Sequence, residues 1–366
     1  MRHSHFETLK PVCPRCRADR ELISPLKLVT IDTKENDNII QGVLHCSDVE
    51  CQLEYPIIDG IPIILHNIRS YLSDNIFHIT NRDDLSNTIE SILGDGVGPN
   101  TLFDVTRQHL STYGWTHFQD LISAPPRDDL NSANNTLVNC AQTGFELIAQ
   151  NNFSPILDIG CSVGRTSFEL ADNYQGLVLG VDVNFSMLRI AQSILHKGFL
   201  RFPLRRYGIV YDEIEQSNLS FSNSNNVDFW CCNALSLPFS DDSFELTTSL
   251  NVLDAVNSPY DLLQSIYRVL KPSGNALFST PFDWSTSATP IEAWIGGHSQ
   301  RSESNGSPEI MLKTLLQNMT NSTNGYGLSL CNEIKTYPWT LRIHDRHEAN
   351  YKTYIFNLIA KKENLQ

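Results

Sequence analysis

The period of apolar and polar positions changes several times along the chain, and the changes mark its elements. Residues 156–159 (Ile-Leu-Asp-Ile) and 177–181 (Leu-Val-Leu-Gly-Val) are short apolar runs of the length expected for buried strands. Between them a glycine turn opens into an amphipathic segment beginning near Arg165, so the stretch reads as strand, turn, helix and strand, one βαβ unit. Gly160 and Gly164 lack a Cβ, which lets the backbone turn tightly and lets a ligand approach the N-terminus of the helix. Asp182 ends the second strand, where a carboxylate can accept hydrogen bonds from both hydroxyls of a ribose. The unit is built to hold a nucleoside.

The same reading divides the rest of the chain. Residues 55–65 form a β-rich run with a turn at Asp59-Gly60. Residues 81–123 read as helical and carry a dense set of functional side chains from Phe103 to Phe118, among them Arg107, His109, Tyr113 and His117. This segment is either a lid across the mouth of a site or an amphipathic connector. Pro125-Pro126 marks a break, and residues 133–151 form the helix leading into the first strand of the βαβ unit. Polar stretches at 217–226 and 299–308 read as exposed loops. Two β-rich runs flank His344-Asp-Arg-His347 in the tail and suit the antiparallel strands that close such a sheet. The expected division is residues 1–68, a helical linker or lid at 69–132, and an α/β domain at 133–366.

The chemistry of the turn narrows the nucleoside. A pyrophosphate cofactor calls for Gly-x-Gly-x-x-Gly, whose bare amides bind phosphate, whereas this turn reads Gly160-Cys-Ser-Val-Gly164 with Asp158 just before it. A carboxylate facing the turn repels phosphate and suits a ligand with a positive amino group. S-adenosylmethionine carries an ammonium and a sulfonium and no phosphate.

Residues 155–182 resemble motif I of the class I S-adenosylmethionine-dependent methyltransferases, and later motifs follow in that family's order. Asn233-Ala234 through Glu245 is similar to the third motif, Ser249-Leu-Asn251-Val-Leu-Asp254 to the strand edge beneath the methyl group, and Tyr267 to Gly274 to the turn before strand 5. The resemblance implies a Rossmann-like seven-stranded sheet and a cofactor site. Gly160, Ser162 and Gly164 would lie beside the methionine portion, Asp182 at the ribose, Asn233 and Ala234 at the adenine, and Asn251 near the methyl group. The family commonly has Asp where Asn233 stands, and Asn can still accept from the adenine amine.

A second constellation stands at the front. Cys13-Pro-Arg-Cys16 is one knuckle, and Cys46-Ser-Asp-Val-Glu-Cys51 adds two thiols after a 29-residue gap. Paired thiolates suit a tetrahedral structural zinc; a redox dithiol or a disulfide pair is the alternative. The front segment resembles the small zinc-ribbon family that activates tRNA and protein methyltransferases as a separate subunit, here fused to the enzyme. Residues 1–10 hold no apolar core of a signal peptide, so a cytoplasmic location with reduced thiols is expected. Cys140, Cys161, Cys231, Cys232 and Cys331 read as small buried hydrophobes.

Apolar content of 41% is enough for a packed interior, and no run reaches the ~18 apolar residues of a membrane span. Net charge is −14, and residues 208–259 hold eight carboxylates and no Lys or Arg. Such a rim disfavours nucleic acid, whose phosphates need basic side chains, and favours a small-molecule or amino-acid-derived acceptor. An RNA methyltransferase and a catalytically silent cofactor-binding scaffold remain the other readings. The acceptor wall is expected just after strand 5, from Thr280 to His298 with Asp283, Trp284 and Trp294. That stretch resembles part of the methyltransferase domain of ovothiol biosynthesis enzymes, which methylate an imidazole nitrogen. Asp283, His298 and His109 are the candidate general bases.

Overall fold

The computed structural model describes the chain except for residues 124, 126, 128–134, 151, 323–324 and 363–366. Its front segment contains α1 (His3–Leu9), α2 (Pro14–Arg20), β1 (Leu26–Glu35), β2 (Asn38–Cys46), β3 (Glu54–Ile58) and β4 (Ile61–Ile64). Asp59 and Gly60 join the last two strands with φ of 53° and 79°, the left-handed pair whose twist matches a two-residue hairpin. Then come α3 (Ile68–Thr80), α4 (Asn87–Val97), α5 (Leu102–Phe118) and α6 (Thr136–Phe145). The Pro-rich break expected at 124–129 lies largely outside the described residues.

Strands and helices then alternate: β5 (Ile156–Ile159), α7 (Arg165–Tyr174), β6 (Val178–Asp182) and α8 (Phe185–Lys197). Local chemistry sets their ends. Asn184 caps α8 by accepting from the Met187 amide at 3.2 Å, and Gly198 closes it with a φ of 58°. An off-sheet hairpin follows, β7 (Leu200–Tyr207) with β8 (Val210–Gln216), and residues 217–226 form the expected loop apart from one short turn of 3₁₀ helix. The chain finishes with β9 (Val227–Cys232), β10 (Phe244–Leu250), α9 (Pro259–Val269), β11 (Leu270–Thr280), α10 (Pro308–Ser322), β12 (Gly327–His344) and β13 (His347–Lys361).

Eleven strands make one sheet, in the order β1-β2-β3-β4-β9-β6-β5-β10-β11-β13-β12. The seven from β9 to β12 are the Rossmann-like methyltransferase arrangement, with five parallel strands and an antiparallel pair, β13 and β12, at one end. The front segment extends this sheet. Its β4 pairs in parallel with β9 through Ile63–Cys231 and Ile64–Cys232. All four residues of β4 are buried, as a parallel strand covered on both faces requires.

Chain order reverses between β5 and β10, so the crevice at the carboxyl ends of these two strands is the switch point where open α/β sheets bind ligands. The mouth of that crevice is flanked by α5. This helix is tied to the off-sheet hairpin: Ser111 Oγ accepts from the Arg205 amide at 2.8 Å, and Tyr211 Oη donates to Asp104 at 3.0 Å. No helix among the described residues is long and apolar enough to cross a membrane.

Candidate functional site

The turn after β5 fits its task through backbone conformation. Gly160 has φ of 70°, and a Cβ placed there would lie 2.4 Å from Val252 Cγ2; at Gly164, φ of 91°, it would lie 2.7 Å from Phe229. Only glycine fits either place. The first contact also sets the layout, because it brings the loop after β10, Asn251 to Asp254, directly against the turn. Ser162 between the glycines is itself left-handed, with φ of 53°, and its amide donates to Asp182 Oδ2 at 2.9 Å.

Asp182 therefore stands at the end of β6 with its carboxylate oriented by two amides, those of Ser162 and of Asn184 at 2.8 Å. Burial pushes its pKa up. Asp158 sits elsewhere than the sequence suggested. It is 2% exposed and lies beneath the turn, where its two oxygens accept from Ser167 Oγ and Thr248 Oγ1, both at 2.7 Å. The reason is strand geometry: its side chain points inward from β5 to meet hydroxyls of α7 and β10. Burial raises its pKa to about 6. Any influence on a ligand is through its charge.

The other cofactor candidates lie along the same strand ends. Asn233 caps a short 3₁₀ turn, Ala234–Ser236, by accepting from the Leu235 amide at 2.9 Å. Asn251 has φ of 56°, and its Oδ1 accepts from Ser279 Oγ at 2.8 Å. Val183, next to Asp182, leaves 47% of its surface exposed, an apolar face beside the acid.

Two further residues of this half come from distant segments. Tyr71 on α3 donates its phenol to the Val183 carbonyl at 2.7 Å and accepts from the Cys231 thiol at 3.2 Å. Arg165, first residue of α7, clamps the end of α5. Its guanidinium donates to both oxygens of Asp120 at 3.0 and 2.9 Å and to the His117 carbonyl at 3.2 Å, and its Nε donates to Glu169 at 2.8 Å.

On the acceptor side the amide of Asp283 donates to Asp254 Oδ2 at 2.6 Å, which places two acids together at the ends of β10 and β11. Asp254 is buried, and burial raises its pKa. Tyr351 of β13 lies within electrostatic reach of the exposed Asp283 carboxylate, and Tyr113 of α5 within reach of Asp182, Asp254 and Tyr351. Tyr113 was visible in the helical segment but carried no motif; Tyr351 and Tyr71 had no signal beyond their type.

Asp283 thus lies among the acceptor-side residues. His298 bonds within its own loop, to Ser299 Oγ at 2.7 Å and the Trp294 carbonyl at 3.3 Å, and lines a surface cleft with Arg301 and Asn305. His109 is on α5, facing His78, and burial lowers its pKa. Among the described residues no interaction joins either imidazole to Asp283. Trp284 and Trp294 stack at 6.1 Å and 14°, holding the loop after β11 together. A separate cleft of about 660 Å³, lined by Arg17, Asp241, Arg268 and Lys362, contains none of the candidate residues.

The four front cysteines converge. Their Sγ atoms lie within 4.8 Å of one another, with Cys13–Cys51 at 3.8 Å and Cys16–Cys46 at 3.6 Å. A tetrahedron with metal–sulfur bonds of ~2.3 Å has edges of roughly 3.7 Å, so the donor set matches a tetrahedral ion. The long Cys46–Cys51 spacing is absorbed by a turn in which Asp48 Oδ1 accepts from the Glu50 and Cys51 amides at 3.1 and 2.9 Å. Of the other cysteines, Cys140, Cys161, Cys231 and Cys232 are buried as expected; Cys331 is exposed, since its part of β12 lies at the sheet edge.

Residues 157–278 match the family model described as a methyltransferase domain, so the chain carries such a domain there. It is 31% identical over 131 residues to the ubiquinone/menaquinone biosynthesis C-methyltransferase UbiE of Pseudoalteromonas translucida, covering 34% of this chain and 43% of that one. With the malonyl-[acyl-carrier protein] O-methyltransferase of a Marinomonas species it shares 37% identity over 151 residues, 41% of this chain and 46% of the relative. The match spans less than half the length of each relative. Among solved structures, Haemonchus contortus phosphoethanolamine N-methyltransferase 2 in complex with S-adenosyl-L-methionine superposes with a TM-score of 0.42 at 13% identity, over 76% of this chain and 61% of that one.

Proposed function

We propose that the chain transfers a methyl group from S-adenosylmethionine to a small-molecule acceptor. The observation that carries the reading is the pairing of Asp182 with the turn: a carboxylate at the end of β6, held by the Ser162 amide at 2.9 Å, beside a backbone passage that only glycine can make. The carboxylate has lone pairs left for two ribose hydroxyls, and Val183 offers an apolar face for the base. The passage has no basic side chain to receive a pyrophosphate, and Asp158 below it adds negative charge, which favours a ligand bearing ammonium and sulfonium groups. Bound there, the cofactor supplies an electrophilic methyl carbon.

What the protein supplies is position. An in-line displacement depends chiefly on holding the nucleophile close to the methyl carbon and aligned with its bond to sulfur. The loop from Asn251 to Asp254 is pressed on the turn, and α5, clamped through Arg165, closes the space above. Asp283, held beside Asp254 at the end of β11, accepts the acceptor's proton if that acceptor is a nitrogen or oxygen acid. The Cys13, Cys16, Cys46 and Cys51 tetrad holds zinc and fixes the front strands that extend the sheet. The relative named for ubiquinone and menaquinone biosynthesis supports a small acceptor.

The test is incubation of the protein with methyl-labelled S-adenosylmethionine and host extract, followed by separation of small molecules, RNA and protein. Label in the small-molecule fraction is the expected result; label confined to RNA or protein contradicts it. The Asp283→Asn variant retaining full turnover would remove the proposed proton acceptor.

A further inference from the structure

The cleft that Arg17 shares with Arg268 and Lys362 has a volume of about 660 Å³, within the range of small-molecule sites. Three parts of the chain meet in it: α2 brings Arg17, α9 brings Asp261, Ser265 and Arg268, and Lys362 follows β13. Asp241 and Asp242, also in its lining, come just before β10, and Arg268 comes just before β11. The cleft therefore lies toward the amino ends of the parallel strands, away from the crevice at their carboxyl ends.

Most of its positive charge is already engaged. Arg268 donates to the Phe239 and Leu237 carbonyls at 2.6 and 2.8 Å and to Asp241 at 3.2 Å. Lys362 pairs with Asp242 and donates to the Arg268 carbonyl at 3.0 Å. Arg17 differs from both. Among the described residues its side chain makes no hydrogen bond and has no carboxylate within 4.0 Å, and its Nε is buried without a partner. Arg107, Arg127, Arg206 and Arg342 also bury an unpartnered nitrogen, but each of them has a carboxylate within that distance. A second orphan lines the same cleft: Ser265 is only 6% exposed, and its hydroxyl has no partner. A buried donor left unmade costs free energy that a ligand can return.

We propose that this cleft binds a small metabolite through one oxyanion, a carboxylate or a phosphate, received by the Arg17 guanidinium with the Ser265 hydroxyl as a further donor. A guanidinium presents parallel N–H groups that match either anion. The rim sets the other limit. Asp241, Asp242 and Asp261 stand around the opening, so a nucleic acid or other polyanion is repelled and a compact molecule with one anionic group is admitted. Such a ligand touches α2 of the front segment and α9 of the main domain together, and so ties the two. The site is separate from the cofactor crevice and does not depend on the methyl-transfer reading.

The test is thermal unfolding of the full chain in inorganic phosphate, in acetate and in sodium chloride at matched ionic strength. Phosphate, acetate or both should raise the unfolding temperature by about 2 °C or more over chloride, and the stronger of the two tells a phosphorylated ligand from a carboxylated one. By calorimetry Arg17→Gln should raise the Kd of the responding anion about tenfold or more, with the Kd for S-adenosylmethionine within about twofold of the parent. Asp261→Asn removes a rim charge and should tighten the same anion about twofold to threefold. No response to either anion, or an unchanged anion Kd in Arg17→Gln, overturns the proposal. If Arg17→Gln does not fold, Asp261→Asn decides, and an anion affinity that is unchanged or weaker there overturns it.

Discussion

Arg165 grips Asp120 through two parallel hydrogen bonds of 3.0 and 2.9 Å, and this joins the first residue of α7 to the turn that follows α5. The guanidinium is buried and lies over Phe118 and Phe221 at 5.8 and 5.6 Å, so its partners are its only substitute for water. Removing Asp120 leaves Glu169 and one carbonyl to hold it. Asp120→Ala is expected to lower stability by about 2–3 kcal/mol, measured by denaturant unfolding, and to weaken cofactor binding as α5 loosens. A loss under about 0.5 kcal/mol would show that the clamp adds nothing.

Tyr71 links the front segment to the cofactor crevice, since α3 follows directly on β4 and its phenol fixes the Val183 carbonyl. Tyr71→Phe keeps the ring and removes that bond and the one from Cys231. Affinity for S-adenosylmethionine should fall about threefold to tenfold with little change in unfolding midpoint. Unaltered affinity would place Tyr71 outside the cofactor site.

His117 gives the fold an acid sensitivity. Burial, and then the neighbouring Arg165 charge, lower its pKa to about 3, against an unfolded value near 6.5. A base depressed in the folded state contributes stability that is fully present above the unfolded value and is lost as pH falls from about 6.5 toward 3. By pH 4 the loss from this residue is about 3 kcal/mol. Comparing urea midpoints at pH 7.5 and pH 4.5, His117→Gln should lose less stability on acidification than the parent. An equal loss in both proteins would assign the acid sensitivity elsewhere.

The cysteine tetrad should carry about one zinc per chain by elemental analysis. Cys46→Ser should lose the metal, and chelation of the parent should lower the unfolding temperature, because β2, which ends in Cys46, lies in the run of strands that leads through β3 to β4 and β9. Full metal content in Cys46→Ser would remove that thiol from the ligand set.

Much of this molecule could be read from the chain. The βαβ unit, the Asp59-Gly60 hairpin, the helix before β5 and the long terminal hairpin are each written in local periodicity and turn residues. What periodicity cannot specify is a partner. Ile61 to Ile64 look like any short apolar run, and nothing local says that they pair with β9 and make the front segment part of the main sheet. The β7–β8 hairpin did leave a trace, the alternation Leu200-Arg-Phe202-Pro-Leu204-Arg, whose even positions are buried. Its arginines and proline disguised it. For the site, the residues on contiguous motifs were legible, Gly160, Gly164 and Asp182 above all. Tyr71, Tyr113 and Tyr351 were not, because they reach the crevice from α3, α5 and β13 only through tertiary packing. Asp158 shows the converse. Its position was legible, but its burial under two hydroxyls depends on Ser167 and Thr248 arriving from other elements.

The most direct measurement is calorimetric titration of the protein with S-adenosylmethionine, repeated on Asp182→Ala. Binding of one cofactor per chain, weakened about tenfold or more in the variant, is the predicted result, since the lost carboxylate is the proposed ribose acceptor and charge-assisted hydrogen bonds are among the stronger ones. No heat of binding in the parent, or equal affinity in Asp182→Ala, would contradict the cofactor site on which the whole account stands.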